Sequence, residues 1–460
     1  MRITRFIVGL LAVLLAAPYQ TAGQAPAAAP VSRSDRAALA GQVRAEFLHA
    51  WTSYRRLAWG HDELNPVSKT AHDWYPPAVV YMTPVDALDT MLLMGFTKEA
   101  AETRTYVLDH LSFDRDVPVQ VFEVNIRLLG GLLSAYQMTK APRFLALAED
   151  LGLRLLPAFD SPTGMPYRFV NLRTGAKTGV ESNPAEIGTL ILEFGVLSKL
   201  TRQNVFFDKA KRAIVELSNR RSKATGLVGE GINVETGQWT NKKSHIGGGI
   251  DSYYEYLLKC ARLFGDKDCA EMARDGVTAI NKYLADDGPN GLWYGEADMD
   301  TGKRTATTYG ALQAFLPTVF AMSGDMPRAR RVQDANFAMW TLAGIEPEEL
   351  DYGQMRITAA GYALRPEIAE SAYYLFHYTR DPKYLEMGRT ILNDLVKYCR
   401  VDDGYTVLTS VETKRKGDRM HSFLLAETFK YLYLLFAPPN TLDFDKVTFN
   451  TEAHPLRKTW

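Results

Sequence analysis

Cysteine is scarce in this 460-residue chain, and that scarcity excludes several classes of protein. Only Cys260, Cys269 and Cys399 are present, with no CxxC pair and no Cys/His spacing typical of zinc ligands, so we expect neither a disulfide scaffold nor a zinc site. Cys260 and Cys269 flank a short turn and would bridge two helices in an oxidising compartment. Their spacing is equally compatible with two unpaired helix cysteines.

Net charge is also lacking, because 53 Lys and Arg residues balance 53 Asp and Glu residues. This balance argues against a nucleic-acid partner. The sequence has no HExxH motif, no nucleophile elbow and no Walker lysine, so metalloprotease, serine hydrolase and nucleotide chemistry have little support. Aromatic residues make up 11% of the chain, which suits either a carbohydrate site or a large core.

A hydrophobic run of membrane-spanning length is missing after the first residues. A basic start, an apolar run over 6–17 and small residues after it predict a signal peptide over 1–23, with an uncleaved anchor as the alternative. Residues 24–34 are predicted to be a flexible lead-in. We therefore expect an exported protein, periplasmic or secreted, that does not contact the membrane after cleavage. No linker divides the rest, so 35–460 is predicted to be one domain, and the protein is expected to be a monomer.

Helical periodicity with stop signals recurs along the chain. It predicts fourteen helices, hence seven pairs, over 35–57, 84–94, 97–110, 120–139, 142–156, 184–200, 204–221, 249–264, 267–284, 308–322, 326–342, 366–379, 382–398 and 418–436. Turns within the pairs are short, and longer breaks fall at every second junction. This rhythm favours an all-α fold, a closed barrel of helical hairpins with its long loops at one end, over a parallel sheet.

Five acids stand at or near the starts of alternate predicted helices, separated by 63, 65, 116 and 60 residues. They are Glu123, Glu186, Asp251, Glu367 and Glu427. One acid per hairpin would place them together at one end of an inner ring, where repulsion and burial would shift their pKa values. Any single one of them is more often a charge favoured by the helix dipole.

Several segments resemble the family 47 glycoside hydrolases, the class I α-mannosidases. They are WGHDEL at 59–64, VDALDT at 85–90, FEVNIRLLGGLL at 122–133, DSYYEYLLK at 251–259, LRPE at 364–367, AETFKYLYL at 426–434 and FNTEAHP at 449–455. The resemblance implies an (α/α)7 barrel whose C-terminal segment enters the barrel floor. It also implies calcium-dependent, inverting removal of terminal α-1,2-linked mannose from mannose-containing oligosaccharides.

The resemblance also implies roles for particular residues. Glu123 matches the general acid, Glu367 the general base, and Asp251 a third catalytic carboxylate that is an alternative acid. Thr451 matches the residue whose carbonyl and hydroxyl oxygens bind Ca²⁺. Substrate contacts are implied for Arg127, Glu186, Arg365, Glu370, Phe423, Glu427 and Glu452.

One departure from the family pattern concerns specificity. Members of the endoplasmic-reticulum type have an Arg two residues before the aspartate of the Asp-Ser-Tyr-Tyr motif, and this chain has Gly249. The missing side chain should open the subsites beyond the terminal mannose. Two alternative functions stay open: a non-catalytic barrel that binds mannose glycans, and an α/α-barrel glycosidase of another linkage specificity.

Overall fold

The computed structural model describes residues 31–460. The predicted signal peptide and residues 24–30 of the predicted lead-in lie outside the described residues. The first helix begins at Arg33, inside the predicted lead-in, because Ser32 caps it: the Asp35 N–H donates to the Ser32 hydroxyl and the Ser32 N–H donates to the Asp35 carboxylate, at 3.2 and 2.9 Å. Within the described range, no helix is both long enough and apolar enough to cross a bilayer.

Seven helices form an outer layer, with polar residues on the solvent side and an apolar stripe facing inwards. They span Arg33–Leu57, Thr97–His110, Pro142–Leu155, Asn204–Asn219, Lys267–Tyr283, Met326–Leu342 and Lys383–Tyr398.

Seven inner helices, buried over most of their surface, alternate with the outer ones along the chain. They comprise Met82–Met94; Val121–Glu123, Val124–Leu129 and Gly130–Thr139; Pro184–Gly188 and Ile191–Thr201; Asp251–Phe264; Ala311–Phe315 and Leu316–Ser323; Glu367–Thr379; and Leu424–Thr428 with Phe429–Phe436. Two of these segments, Val124–Leu129 and Leu424–Thr428, are π-helical, and Ala311–Phe315 is a 3₁₀ helix.

The inner helices form a closed ring. Each packs against the next, and Leu424–Thr428 packs against Met82–Met94 to complete the circle. The outer helix Arg33–Leu57 packs on Phe429–Phe436, so the first and last helices together make the seventh hairpin. The predicted (α/α)7 barrel is confirmed.

The breaks between helical hairpins and the C-terminal segment hold short antiparallel strands that periodicity does not predict. Within residues 31–460 these strands are Glu63–Asn65, Thr70–His72, Pro118–Gln120, Phe169–Asn171, Lys177–Thr178, Glu181–Ser182, Gly231–Asn233, Trp239–Asn241, Lys243–Ser244, Ala285–Gly288, Gly291–Tyr294, Glu296–Asp298, Arg304–Ala306, Thr308–Gly310, Glu349–Asp351, Arg356–Ala359, Arg400–Val401, Gly404–Tyr405, Leu408–Ser410, Arg415–Lys416, Val447–Phe449 and Pro455–Arg457.

Two predicted helix starts are wrong by three residues or more, because backbone pairing with other segments keeps these stretches extended. Thr308–Gly310 pairs with Glu349–Asp351, so the helix predicted from 308 begins only at Ala311. The helix predicted from 418 begins at Leu424, since the Met420 N–H bonds to the Leu64 carbonyl at 2.9 Å and keeps that stretch extended.

The C-terminal hairpin of Val447–Phe449 and Pro455–Arg457 inserts its loop into the ring. Asn450 donates to the Ile126 carbonyl and to Glu193, both at 2.8 Å, and Lys430 donates to the Ala453 carbonyl at 2.7 Å. Gly130 allows this close approach, because a Cβ there would lie 2.5 Å from the Asn450 amide nitrogen. The predicted C-terminal segment at the barrel floor is therefore present.

A disulfide joins Cys260 on an inner helix to Cys269 on the outer helix that follows it, nine residues later. The alternative of two unpaired cysteines is thereby resolved. Cys399 is buried and unpaired within the part of the chain that the structure describes.

Replacing Cys260 and Cys269 together by Ser should lower the free energy of unfolding by about 2–3 kcal/mol, the loop-entropy cost of a closed loop this short. Thermal unfolding with and without reductant checks the prediction. Reductant should lower the melting temperature of the wild type and leave the double variant unchanged. A Cys399→Ser variant that becomes insensitive to reductant would contradict the assignment.

Candidate active site

A cavity of about 860 Å³ opens at the end of the barrel where the inner helices begin. All eleven residues predicted for the site line this cavity. They are Glu123, Arg127, Glu186, Asp251, Arg365, Glu367, Glu370, Phe423, Glu427, Thr451 and Glu452.

The acids converge because each inner helix is followed by an outer helix that returns the chain, so all inner helices run in the same direction. Asp251 and Glu367 are the first residues of their helices, and Glu123 lies at the third position of its own. In ring order they occupy the fourth, sixth and second inner helices, so no two of these acids come from adjacent helices of the ring. The three carboxylates therefore face the cavity from different sides.

Arg127 is the buried cation that joins acids from three parts of the chain. Its Nε donates to Glu123 Oε2 at 2.9 Å, it pairs with Glu452, and its Nη1 lies 3.7 Å from Asp86 Oδ2. Burial alone would lower the pKa of Arg127, but these carboxylates raise it well above its usual value. The guanidinium therefore stays charged and holds its partners in place.

The ring of Phe423 lies near two guanidinium groups. Arg127 Cζ lies 5.6 Å and Arg365 Cζ 5.9 Å from the ring centroid. Arg365 is held in turn by Glu348, with Nη2 at 2.8 Å and Nε at 3.1 Å from Oε2. An aromatic face flanked by fixed cations offers both apolar contact and hydrogen-bond donors to a sugar ring.

Asp251 and Glu367 are carboxyl groups whose pKa values lie near neutrality. Burial raises the pKa of Asp251 to about 7, although its Oδ1 accepts hydrogen bonds from the backbone N–H and hydroxyl of Ser252 at 2.7 and 3.3 Å. Burial also raises the pKa of Glu367 to about 7, against the opposing effect of Arg365. Groups with such pKa values can both give and take a proton near pH 7.

The cavity floor concentrates carboxyl groups. Burial, with repulsion from neighbouring carboxylates, raises the pKa of Glu370 to about 8 and those of Glu427 and Glu452 well above the ordinary range. Thr451 lines the same floor, held by its backbone N–H, which donates to the Tyr256 hydroxyl at 3.1 Å. An oxygen-rich floor of this kind suits a hard divalent cation such as Ca²⁺.

A further basic residue, Arg168, stands at the cavity mouth. Its Nη2 lies 3.0 Å from Glu186 Oε1, which also accepts from Gln120 Nε2 at 2.9 Å. The Arg168 carbonyl accepts from the Val121 N–H at 3.0 Å, which fixes this segment to the start of the helix that carries Glu123. Arg168 is thus fixed beside Glu186 and next to the helix that carries Glu123.

Sequence reasoning missed four residues that complete the site: Asp86, Gln120, Arg168 and Glu348. Asp86 lies in a segment that carries the family resemblance, but its sequence context indicates no role for it. Arg168 belongs to a loop segment that no periodicity marks. Gln120 opens the helix predicted over 120–139 but is the last residue of the strand Pro118–Gln120, and Glu348 is paired with Arg365 across 17 residues. Only contacts between distant parts of the chain identify them.

Comparisons with known proteins agree with this architecture. A sequence model described as Glycosyl hydrolase family 47 matches residues 46–458. The Arabidopsis thaliana protein alpha-mannosidase I MNS5 is 38% identical over 446 residues, covering 90% of this chain and 76% of the relative. The human ER degradation-enhancing alpha-mannosidase-like protein 2 is 38% identical over 460 residues, covering 92% and 78%.

Two further relatives are informative. The human endoplasmic reticulum mannosyl-oligosaccharide 1,2-alpha-mannosidase is 37% identical over 443 residues, covering 89% of this chain and 62% of that protein. The solved alpha-1,2-mannosidase from Trichoderma reesei superposes with a TM-score of 0.84 at 27% identity, covering 92% of this chain and 99% of that one.

Replacing Arg127 by Met should lower the free energy of unfolding at pH 7 by about 3–5 kcal/mol, because its carboxylate partners stay buried without a cation. The loss should shrink at pH 5, because acids left without the cation take up protons more readily there and so lose their buried charge. Urea unfolding at both pH values in EDTA measures it. The control is Arg173→Met, whose pair with Asp114 is exposed and should contribute less than about 1 kcal/mol. Equal losses at both pH values would contradict the explanation.

Proposed function

Because the chain belongs to glycosyl hydrolase family 47, we propose that it is a calcium-dependent, inverting exo-α-1,2-mannosidase that removes terminal α-1,2-linked mannose from mannosides and high-mannose glycans. Relatives named as 1,2-alpha-mannosidases support this linkage. The observation that carries the proposal is the set of three carboxylates facing one cavity from non-neighbouring inner helices, two of them with pKa values near 7.

Inverting hydrolysis needs a protonated carboxyl group that donates to the leaving oxygen and an ionised carboxylate that activates water on the opposite face of the sugar. Glu367 is assigned as the base, and Arg365 beside it favours the ionised form. Glu123 is assigned as the acid, with Asp251 as the alternative. Acids on opposite sides of the ring of inner helices leave room for the attacking water between one carboxylate and the anomeric carbon of the mannose.

Calcium is assigned to the cavity floor. Thr451 would supply oxygen ligands, while Glu427 and Glu452 would offset the charge of the ion and hold its waters. When bound, the ion would coordinate sugar hydroxyls and fix the orientation of the terminal mannose. Phe423, Arg127 and Arg365 would contact the same terminal mannose from the side.

Gly249 supports a wide acceptance of mannose arms. It lines the cavity at a φ of +89°, and a Cβ there would meet nothing nearer than Asn183 at 3.7 Å. The space beyond the terminal mannose is bounded by Arg168 and Glu186 at the mouth. The enzyme should therefore remove more than one α-1,2-linked mannose from a branched glycan.

Export to an oxidising compartment is part of the proposal, supported by the Cys260–Cys269 disulfide and by the signal-like composition of residues 1–23. A monomer is the expected oligomeric state.

The decisive experiment follows α-1,2-mannobiose by proton NMR with the mature chain, first in calcium and then in EDTA. β-Mannose should appear first, and chelation should stop turnover until calcium is restored. α-Mannose as the first product would overturn the inverting assignment. Sugar binding without turnover would favour the non-catalytic barrel, and turnover only on other mannose linkages would favour the third alternative.

Glu367→Gln should lower kcat by about 10²–10⁴-fold with a small change in KM, because it removes the general base and keeps the shape of the side chain. Glu412→Gln, an exposed acid in a surface turn, is the matched control and should be indistinguishable from the wild type. Steady-state kinetics on the same disaccharide measure both. A Glu367→Gln enzyme within about twofold of the wild type would remove Glu367 from the mechanism.

The pH profile should report the buried base. The raised pKa of Glu367 means that the base becomes protonated as the pH falls below about 7, so kcat/KM should decline on that side at saturating calcium. A decline that begins only near the ordinary glutamate value of about 4.3 would contradict this role.

A further inference from the structure

Glu346 is a fully buried carboxyl group for which neither the sequence analysis nor the proposed mechanism has a role. It lies between the outer helix Met326–Leu342 and the strand Glu349–Asp351. Its side chain has no exposed surface, and within residues 31–460 neither of its carboxyl oxygens has a hydrogen-bond partner.

The charged and titratable groups around Glu346 include more acids than bases. They are Glu367, Glu348, Arg365, Tyr362 and Tyr309. Arg365, the one cation in this set, is already engaged by Glu348 at 2.8 Å. A buried carboxylate without a partner is strongly disfavoured, and this favours the protonated, neutral form of Glu346. Burial, and then repulsion from Glu367, raise its pKa well above the ordinary value.

Glu346 is tied to the candidate active site by two short stretches of chain. Glu346 precedes Glu348 by two residues, Arg365 precedes Glu367 by two residues, and the Arg365–Glu348 ion pair holds the two stretches together. A second hydrogen bond, from the Ala363 N–H to Glu348 Oε1 at 2.8 Å, reinforces the junction. The neutral acid and the candidate base therefore belong to one rigid cluster.

Glu346 and Glu367 have complementary unpaired hydrogen-bonding groups. Among the described residues, Oε2 of Glu367 is buried and accepts no hydrogen bond, while the protonated Glu346 carries a hydroxyl that has no acceptor. We propose that Glu346 is a positioning residue for Glu367: as a neutral acid it donates a hydrogen bond to Glu367 Oε2, directly or through one water. This inference rests on the proposed function, since it assumes that Glu367 is the base.

A neutral donor at this position has a defined effect. It stabilises the ionised form of Glu367 and orients its other oxygen towards the cavity, without adding a second negative charge. An ionised Glu346 would act in the opposite sense, because like charge would favour the protonated, inactive form of the base.

Two variants separate these cases. Glu346→Gln keeps a neutral donor and should leave the acid limb of the kcat/KM profile, kcat and KM within about twofold of the wild type. Glu346→Met keeps the volume but removes the donor. It should move the acid limb upwards by about one pH unit and lower kcat by about tenfold with KM unchanged. Asp394→Asn, in which a partly buried acid on an outer helix is neutralised, is the control and should move nothing.

Three results would overturn the proposal. A downward shift of the acid limb in both variants would show that Glu346 is ionised. An unchanged acid limb of the kcat/KM profile in both variants would show that Glu346 only fills space in the core. An equal loss in both would show that a neutral donor does not suffice.

Infrared difference spectroscopy tests the protonation state without any need for activity. Wild type minus Glu346→Gln at pH 7 should show the carbonyl stretch of a protonated carboxylic acid, and a carboxylate band in its place would overturn the proposal. This readout stays decisive if Glu346→Met fails to fold. A wild type that hydrolyses no mannoside while the protonated band is present would refute the proposed function and leave the neutral state of Glu346 standing.

Discussion

The surplus of buried carboxylates over buried cations in one cavity is the constraint on which the rest of the structure depends. Glu370, Glu427 and Glu452 share a floor on which Arg127 is the cation that joins acids from separate parts of the chain. Such a cluster destabilises the folded state unless the surrounding structure holds it together. The closed ring does so from the sides. The C-terminal loop does so from below, where Asn450 and Lys430 anchor it to the inner helices.

Much of this architecture could be predicted because it repeats. Each hairpin contributes one inner helix, and each inner helix starts at the same end of the ring, so acids about sixty residues apart had to meet once a barrel was assumed. The helix boundaries followed from Gly, Pro and capping residues, which act locally. The ion pairs of Arg365 with Glu348 and of Arg168 with Glu186 could not be predicted in this way, because they depend on how loops of different hairpins face one another.

The strands were missed for a physical reason. They are two to four residues long, too short to show an alternating pattern, and their stability comes from pairing with other loop segments. Two helix starts were wrong where such pairing competes with helical propensity. The π-helical turns at Val124–Leu129 and Leu424–Thr428 were equally invisible in the sequence. They occur where Arg127 and Glu427 reach the cavity, in keeping with the tendency of π-helical turns to accompany functional sites.

The cost in folding stability of burying ionisable groups distinguishes a catalytic barrel from one that only binds sugar. A binding site needs hydrogen-bond donors and an aromatic face, which Phe423 and its flanking arginines already provide. It gains nothing from Asp251 and Glu367 buried with pKa values near 7, whose desolvation weakens the fold. Proton transfer requires that cost, because a general acid or base works best when its pKa lies close to the working pH. The presence of both Asp251 and Glu367 in one cavity therefore favours hydrolysis over sugar binding alone.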